Sequence, residues 1–348
     1  MPHLPPMPLL NFADNKAVIM KNKVKRLIEN KNKTVPILSF PSTNLIGISV
    51  NELISSADNQ AKGMKAITER CNIGASLNMM DLSVEAEAFG AKIYFTDNEI
   101  PTVIEGIIND IDQVSQISVP EIGIARTGIF IDGVKKAKEI ITDIPVFCGV
   151  IGPYSLASRL FDMTELMYAC YDSPDEVKIL IDKASEFIIN YINAFKSVCA
   201  DGVILAEPAA GMLSPPLADE FSVPFVKRIF ESVNSDDFML CYHNCGNYAA
   251  DMLEGISTVN ADIYHFGNAV NLKKSLEFLP TDSIVMGNVD PVLLRTGTAE
   301  EVSSEVERIF NECSAYSNFM LSTGCDVPAN ASWENIDAYF KKVNELYA

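Results

Sequence analysis

The residue types best suited to chemistry in this chain are one histidine and two cysteines. His243 and Cys245 are separated by a single residue, and Cys325 lies 80 residues further along the chain. Alternate side chains of an extended segment point to the same side, so the first two residues would face one side together. Imidazole and thiolate suit zinc, and three protein ligands with an open fourth position are typical of catalytic zinc. The pattern therefore predicts a zinc site, provided that the fold brings Cys325 to the other two residues.

The alternative for these residues is ordinary packing in the core, where free cysteines are common. The chain contains only three histidines, and two of them, His243 and His265, directly end apolar runs. Cys241 shares the spacing of the ligands but lies one step deeper in its run, which favours packing. The remaining cysteines have no partner at metal-ligand spacing, and we interpret them as packing residues: Cys71, Cys148, Cys170, Cys199 and Cys313.

Further polar residues follow apolar runs, where the chain would turn from a strand into a loop. We predict catalytic roles for Asp81, Glu207 and His265, and contacts with a cofactor or substrate for Asn288 and Asp290. For Glu207 and His265 we keep several alternatives: a fourth zinc ligand, a group that orients another ligand, a substrate contact, or an ordinary polar residue at the rim. For Asp290 the alternative is a helix cap.

The elements that must position these residues are short apolar runs separated by longer helical patterns. Eight of the runs predict the barrel strands, which span 35–40, 75–79, 145–150, 202–206, 238–242, 262–265, 283–286 and 319–322. A short additional strand is predicted at 91–95, within an excursion over 81–102. A helix is predicted over 11–31, and capping-box patterns predict helix starts at Ser173 and Thr298.

Eight strands alternating with helices indicate right-handed βαβ units in a parallel sheet, and hence a (β/α)8 barrel. We treat residues 1–348 as a single barrel domain in which residues 1–33 form an N-terminal extension. An open doubly wound sheet is the alternative, but no G-x-G-x-x-G follows the first strand. In a barrel, catalytic residues lie where strands end, which is where the polar residues above occur.

Composition and charge exclude several classes of function. The chain has 348 residues, of which 48% are hydrophobic and 21% charged, enough for a sizeable core. Its net charge of −19 disfavours nucleic acid and anionic membrane surfaces as partners. We find neither a secretory signal pattern at the start nor an apolar stretch long enough to span a membrane, and predict a cytoplasmic protein.

Several motifs together carry a resemblance to a known family. His243-Asn244-Cys245 followed by Cys325 resembles the H-x-C…C zinc signature of methylcobamide:thiol methyltransferases, a subgroup of the uroporphyrinogen decarboxylase superfamily. Other stretches resemble the superfamily as a whole and keep its order from about residue 35 onwards; they are DLSVEAEAFG (81–90), GPYSLA (152–157), GNVDP (287–291) and WENIDA (333–338).

The resemblance implies a (β/α)8 barrel that moves a methyl group from a methylated corrinoid to a thiol such as coenzyme M, with Zn²⁺ as cofactor. A separate corrinoid protein is the implied donor partner, and a small-molecule thiol is the acceptor. A free thiol is mostly protonated at neutral pH, and zinc would deprotonate it. Because the chain is acidic, an anionic thiol would need a nearby lysine or arginine, which the sequence does not place.

Two other functions remain as alternatives. The first is a metal-free decarboxylase acting on a porphyrinogen, but the arginine-rich stretch of that subgroup is replaced by SFPSTNLIG at 39–47, and the chain has only seven arginines. Its G-H-G near the last strand is also replaced, by Ser322-Thr323-Gly324, whereas Asp81 matches both subgroups. The second is a non-catalytic barrel that binds a corrinoid or tetrapyrrole and holds a structural zinc.

Overall fold

A parallel sheet curled into a barrel forms the centre of the computed structural model, which describes residues 21–348. Seven parallel strands follow one another in chain order around the sheet: β1 (Ser76–Leu77), β4 (Val146–Ile151), β5 (Gly202–Ala206), β6 (Met239–Asn244), β7 (Ile263–Phe266), β8 (Ile284–Val289) and β9 (Phe319–Thr323). Every residue of these strands is buried, as expected for parallel strands covered on both faces. The predicted α/β barrel class is confirmed.

The ring is closed by an extended segment rather than by an eighth regular strand. Thr34 forms a parallel bridge with Leu321 of β9, and its carbonyl accepts a hydrogen bond from the Gly74 amide at 2.8 Å, on the β1 side. The strand predicted over 35–40 is therefore wrong as a regular strand. Pro36 has no N–H to donate, and the Ile37 amide bonds to the Thr323 hydroxyl instead of to backbone. Side chains of β9 thus replace part of the backbone ladder.

Each of the other seven predicted barrel strands overlaps an observed one, within a few residues at the ends. The excursion after Asp81 contains an antiparallel hairpin of β2 (Lys92–Tyr94) and β3 (Thr102–Glu105). The sequence predicted the first strand of this hairpin and missed the second. The short β3 is largely exposed and therefore lacks the apolar run that marks the barrel strands.

Helices surround the barrel and connect its strands. Their bounds are α1 (Asn22–Ile28), α2 (Ser42–Ile46), α3 (Val50–Ile54), α4 (Ala57–Arg70), α5 (Val84–Phe89), α6 (Thr127–Ile140), α7 (Pro153–Leu160), α8 (Met163–Asp172), α9 (Pro174–Ser197), α10 (Pro215–Phe221), α11 (Val223–Val233), α12 (Leu253–Ser257), α13 (Leu272–Phe278), α14 (Pro291–Thr296), α15 (Ala299–Cys313) and α16 (Trp333–Leu346). Short 3-10 helices span Ile111–Gln116, Ala210–Met212 and Ala249–Met252. No helix among residues 21–348 combines the length and the apolar character that crossing a bilayer requires.

The two predicted helix starts have different outcomes. Thr298 forms the predicted capping box with Glu301, with both reciprocal bonds present. Ser173 makes no capping bond through its side chain, so that part of the prediction is wrong. Because α8 ends at Asp172 and α9 begins at Pro174, Ser173 is the only link between the two helices. Its amide bonds back to Ala169 at 2.8 Å to end α8.

The first described helix, α1, covers the end of the barrel where the strands begin. Val24 and Leu27 are buried against the barrel interior, and the Lys23 ammonium lies 2.7 Å from the Asp262 carboxylate. It also donates to the Phe238 carbonyl at 2.8 Å, just before β6. The predicted helix over 11–31 is thus observed from residue 22, and its part over 11–20 lies outside the described residues. A functional site is therefore expected at the opposite mouth of the barrel, where the strands end.

Candidate metal centre

Three predicted ligands meet at the mouth of the barrel. His243 is the fifth residue of β6, Cys245 directly follows that strand, and Cys325 lies two residues after β9. The ligand atoms of these three side chains all lie within 4.8 Å of one another, and no other group of three or more His, Cys, Asp or Glu among the described residues does this. We call this group the His–Cys–Cys cluster. His243 is buried, and the two cysteines are partly buried.

The spacing of the cluster agrees with that of a tetrahedral zinc site. The Cys325 Sγ atom lies 3.6 Å from His243 Nε2 and 3.7 Å from Cys245 Sγ. Ideal Zn–S and Zn–N bond lengths in a tetrahedron place such atoms about 3.6 Å and about 3.8 Å apart. The sulfur separation is far too long for a disulfide, and both cysteines are free. The donor atoms therefore fit zinc in both chemistry and distance.

His265, on the neighbouring strand β7, sets the tautomer of His243. The two Nδ1 atoms lie 2.7 Å apart, and His265 Nε2 lies 2.7 Å from the Thr323 carbonyl oxygen. A carbonyl only accepts, so His265 Nε2 must carry a proton, and the neutral ring then accepts at Nδ1. His243 consequently donates from Nδ1, which leaves the lone pair of its Nε2 directed to the sulfurs. This is the arrangement that a metal-ligating histidine requires.

Burial keeps this relay neutral. Desolvation, and secondarily the neighbouring His243, lower the pKa of His265 well below its ordinary value. A protonated His265 would donate to His243 Nδ1 and so reverse the relay, which burial prevents. In the cysteine pair, the hydrogen bond from Cys325 lowers the pKa of Cys245, and the same contact raises the pKa of Cys325 to about 12.

Close backbone packing holds the loops that carry the cysteines. A Cβ atom at Gly267 would lie 2.7 Å from the Cα of Cys245, so only glycine fits beside this ligand. The Gly267 amide bonds to the Asn244 carbonyl, and its own carbonyl accepts from the Asn288 side chain at 2.9 Å. A Cβ at Gly324, just before Cys325, would likewise lie 2.7 Å from the Asn268 amide. The cluster thus rests on backbone contacts between neighbouring loops.

Glu207 lies outside the cluster and braces a helix. It follows β5 with the outward parity of Val203 and Leu205, and it accepts the Tyr154 and Ser155 amides of α7 at 2.8 and 2.9 Å. The carboxylate is fully buried, and burial raises its pKa to about 7 despite these hydrogen bonds. Of its predicted alternatives, a ligand role at the cluster has no support in this geometry, and its catalytic role stays a prediction.

Asp81 is buried and paired with a cation that the sequence analysis did not single out. Its Oδ2 forms an ion pair with Arg126, and its Oδ1 accepts from the amide and the hydroxyl of Ser83 at 3.0 and 2.6 Å. Arg126 also binds Glu87 at 2.6 Å and lies over the ring of Phe95. The Asp81 charge is therefore already neutralised within the chain, and its catalytic role stays a prediction.

Asn288 lies near the end of β8 and Asp290 directly follows that strand, and their side chains make different contacts. Asn288 is buried, and its amide nitrogen bonds the carbonyls of Gly267 and Val270 at 2.9 and 2.7 Å, so it holds the loop beside Cys245. Asp290 caps α14 through a 2.8 Å bond from the Val292 amide. The helix-cap alternative for Asp290 is thus observed, while cofactor contacts of both residues stay predictions.

The remaining cysteines agree with packing, with one exception. Cys241 is completely buried in the barrel interior below His243. Cys71, Cys148, Cys170 and Cys313 are buried as well. Cys199 is exposed, so the packing interpretation is wrong there. It follows α9 in a left-handed conformation, with φ of 66°, in the turn that leads into β5.

The sequence analysis missed residues whose role depends on contacts between loops. Gly267 and the Thr323 carbonyl have no side-chain signal at all. Arg126 stands in a loop at the start of α6, far in sequence from the aspartate it binds. The only indication of Arg126 in the sequence is that the chain has just seven arginines.

By its fold and its site, the protein belongs to the class of parallel α/β barrels, and it carries the His–Cys–Cys cluster at the mouth of the barrel. Comparison with known proteins gives the family: the uroporphyrinogen decarboxylase model matches residues 33–346. The chain belongs to the uroporphyrinogen decarboxylase family, as its motifs indicated.

Individual relatives cover two subgroups of the family. A methylcobamide:CoM methyltransferase of Methanosarcina acetivorans is 23% identical over 256 residues, 71% of this chain and 72% of the relative. A uroporphyrinogen decarboxylase of Ruthia magnifica is 21% identical over 289 residues, 80% of this chain and 82% of the relative. Among solved structures, a methyltransferase from Methanosarcina mazei aligns with a TM-score of 0.83 at 23% identity, covering 95% of this chain and 100% of the other. This likeness confirms the barrel fold.

Proposed function

We propose that this protein is a zinc-dependent methyltransferase that moves a methyl group from a methylated corrinoid, carried by a separate corrinoid protein, to a small thiol such as coenzyme M. The observation that carries the proposal is the His–Cys–Cys cluster at the barrel mouth, with tetrahedral spacing and three ligands. A structural zinc site normally has four protein ligands, so three favour a catalytic site over the non-catalytic barrel. The names of the methyltransferase relatives support the same subgroup.

His243, Cys245 and Cys325 would hold the zinc, which when bound would lower the pKa of a thiol at the open position. The chain's own residues prepare the site for this chemistry. His265 keeps the Nε2 lone pair of His243 available, and Gly267 and Asn288 fix the loop of Cys245. In the reaction, the thiol sulfur forms the new S–C bond while the Co–C bond breaks, and the electron pair of that bond stays on cobalt.

The decarboxylase alternative has less support in the geometry. That reaction needs a free carboxylate and several cations to bind the many carboxylates of a porphyrinogen. Asp81 is instead occupied by Arg126 and Ser83, and residues 39–47 contain no arginine. A metal-free reaction would also give no role to the His–Cys–Cys cluster.

The test combines metal analysis with demethylation of methylcobalamin by a panel of thiols. We expect about one zinc per chain and loss of the Co–C absorption bands with appearance of the methyl thioether, only when both zinc and a thiol are present. Porphyrinogen decarboxylation by the same preparation, without thiol-dependent demethylation, would contradict the proposal. A preparation that binds zinc but does not demethylate methylcobalamin with any thiol of the panel would favour the non-catalytic barrel.

A further inference from the structure

A cavity of 380 Å³ lies beside α7, close to the mouth of the barrel. Ser155, Ser158 and Arg159 of α7 line one side of it, Ala209 and Met212 of the loop after β5 line another, and Ile104 of the hairpin strand β3 a third. The loop after β5 that lines the cavity lies beside β6, the strand that carries His243. The Ser155 hydroxyl accepts from the Ala209 amide at 3.0 Å, and the Glu207 amide bonds the His243 carbonyl at 2.8 Å.

Arg159 is the cation of this cavity, and it lacks a partner among the described residues. Its Nε atom is buried and has no hydrogen bond, and the guanidinium forms no ion pair within residues 21–348. Burial lowers the pKa of Arg159, but a guanidinium remains charged at neutral pH. Most of the Arg159 side chain is buried, so an anion that entered the cavity would gain a strong interaction with its guanidinium.

The carboxylates nearest to Arg159 have other partners. Asp81 is bound by Arg126 and Ser83. One oxygen of Glu85 accepts the Ile151 amide at 2.9 Å, whereas the other has no hydrogen bond among the described residues; burial raises the pKa of this residue to about 7, so its charge is reduced. Neither carboxylate lies within ion-pair distance of Arg159.

Two acidic residues also line the cavity, and both have their own partners. Asp162 caps α8 by accepting two amides, at 2.8 and 3.2 Å, and Glu105 lies 3.8 Å from Lys92 on the hairpin. Because Asp162 accepts from amides and not from a cation, these carboxylates repel a multiply charged ligand more strongly than a singly charged one. The volume suits a small molecule rather than a porphyrinogen.

We propose that Arg159 binds the anionic end of the thiol acceptor, a small thiol bearing a single sulfonate or carboxylate. The identity of the ligand in this inference rests on the proposed methyl transfer. The presence of an anion site at Arg159 does not depend on that proposal. The site would also explain how a chain with a net charge of −19 retains an anionic substrate.

The kinetic test compares two thiols of similar size that differ in charge. With 2-mercaptoethanesulfonate as acceptor, Arg159→Gln should raise KM about 10- to 100-fold, as expected for loss of a charged hydrogen-bonded contact. With neutral 2-mercaptoethanol the KM should change less than about twofold, and Arg159→Lys should give an intermediate effect with the anionic thiol. Arg295→Gln, at an exposed arginine that also forms no ion pair within the described part of the chain, is the matched control and should behave as wild type.

A calorimetric test separates this proposal from the proposed function. Ethanesulfonate, which has no thiol, should bind wild type and Cys245→Ser alike and fail to bind Arg159→Gln. Equal binding of ethanesulfonate by wild type and Arg159→Gln would overturn the anion site, and binding of phosphate in preference to ethanesulfonate would overturn its assignment to a sulfonate or carboxylate. Arg159-dependent binding without demethylation by any thiol would leave the site standing and refute the methyl transfer. If Arg159→Gln does not fold, Arg159→Lys should still bind ethanesulfonate, only more weakly, and unchanged affinity in this variant would also refute the role of Arg159.

Discussion

At the scale of single residues, what distinguishes the proposed metal ligands from other buried polar groups is that each is oriented by a neighbour. His243 is held by His265, which in turn donates to a carbonyl of β9. The two cysteines contact one another and the histidine. Each ligand is thereby fixed before any metal arrives, and removing one of them should have a larger effect than its share of the packing.

The cysteine ligands are tested by conservative substitution. Cys245→Ser and Cys325→Ser should each lose most of the bound zinc, because a hydroxyl is a poor replacement for a thiolate. Cys241→Ala, four residues before Cys245 and buried in the same barrel, is the control and should keep the metal. Zinc content per folded chain is the measurement, and full occupancy in the Cys245→Ser/Cys325→Ser double variant would exclude this site.

His265 is tested as a positioning residue. His265→Phe removes the acceptor for His243 Nδ1, and it should weaken zinc binding about 10- to 100-fold. His265→Gln, which retains an acceptor and a donor, should recover part of the affinity. Competition with a chromophoric chelator measures both, and equal affinities for the wild type and the phenylalanine variant would show that the histidine relay does not orient the ligand.

At the scale of elements, the sequence predicted strands well where their residues are buried on both faces, and poorly elsewhere. The runs ending at His243 and His265 are continuous and apolar, so the strands, their parity and the position of both histidines at the mouth followed from pattern alone. The segment over 35–40 has the same apolar character but contains Pro36, and two of its backbone groups bond to side chains of β9. Periodicity does not encode such partners. For the same reason Gly267, which acts through contacts distant in sequence, was not predicted.

The close approach of the loops after β6 and β7 gives a prediction at Gly267. An added Cβ in Gly267→Ala would meet the Cys245 backbone at 2.7 Å and displace that ligand, so zinc affinity should fall at least about tenfold. Gly202→Ala is an equally crowded control at the other end of the barrel, where the Cβ would lie 2.8 Å from Met239. It should lower stability without changing zinc affinity in the folded protein. Loss of affinity in both variants would indicate a general effect of crowding.

The burial of the Glu207 carboxyl beside the start of α7 makes stability depend on pH. Burial raises the folded-state pKa of Glu207 from 4.5 to about 7, so the folded protein binds a proton that the unfolded chain has released between these values. The contribution of Glu207 to stability should therefore be fully present below about pH 4.5 and be lost, by up to about 3 kcal/mol, as pH rises through about 7. Glu207→Gln should flatten this part of the profile in urea unfolding between pH 5 and 8. Glu69→Gln, at an exposed glutamate, should leave the profile unchanged, and an unaltered slope in Glu207→Gln would contradict the assignment.

At the scale of the whole molecule, the two ends of the barrel have separate tasks. The mouth carries the His–Cys–Cys cluster and the Arg159 cavity, while α1 covers the opposite end with Val24 and Leu27. Barrels of this kind commonly divide function and stability between their ends. Changes at the α1 end should therefore affect unfolding without affecting the metal.

Lys23 provides the test of this division. Its ammonium contacts Asp262, which is completely buried, and the carbonyls of Phe238 and Ser235. Lys23→Ala should reduce the free energy of unfolding by about 2 kcal/mol or more, because a buried carboxylate loses one of its partners. Lys21 also contacts Asp262, at 2.8 Å, which limits the loss. Urea unfolding measures the effect, and the folded variant should bind zinc as tightly as wild type; a parallel loss of zinc affinity would refute the division between the ends.

The distribution of the ligands along the chain has a consequence for biosynthesis. Cys325 lies 80 residues after Cys245, and the carbonyl that orients the histidine pair belongs to Thr323 of the last strand. During translation, His243, His265 and Cys245 leave the ribosome well before these partners do. The nascent protein therefore has only an incomplete binding site until its final strand has been synthesised and has joined β8. Tight metal capture would mark a finished barrel, so a ribosome-bound chain truncated before residue 319 should not retain zinc.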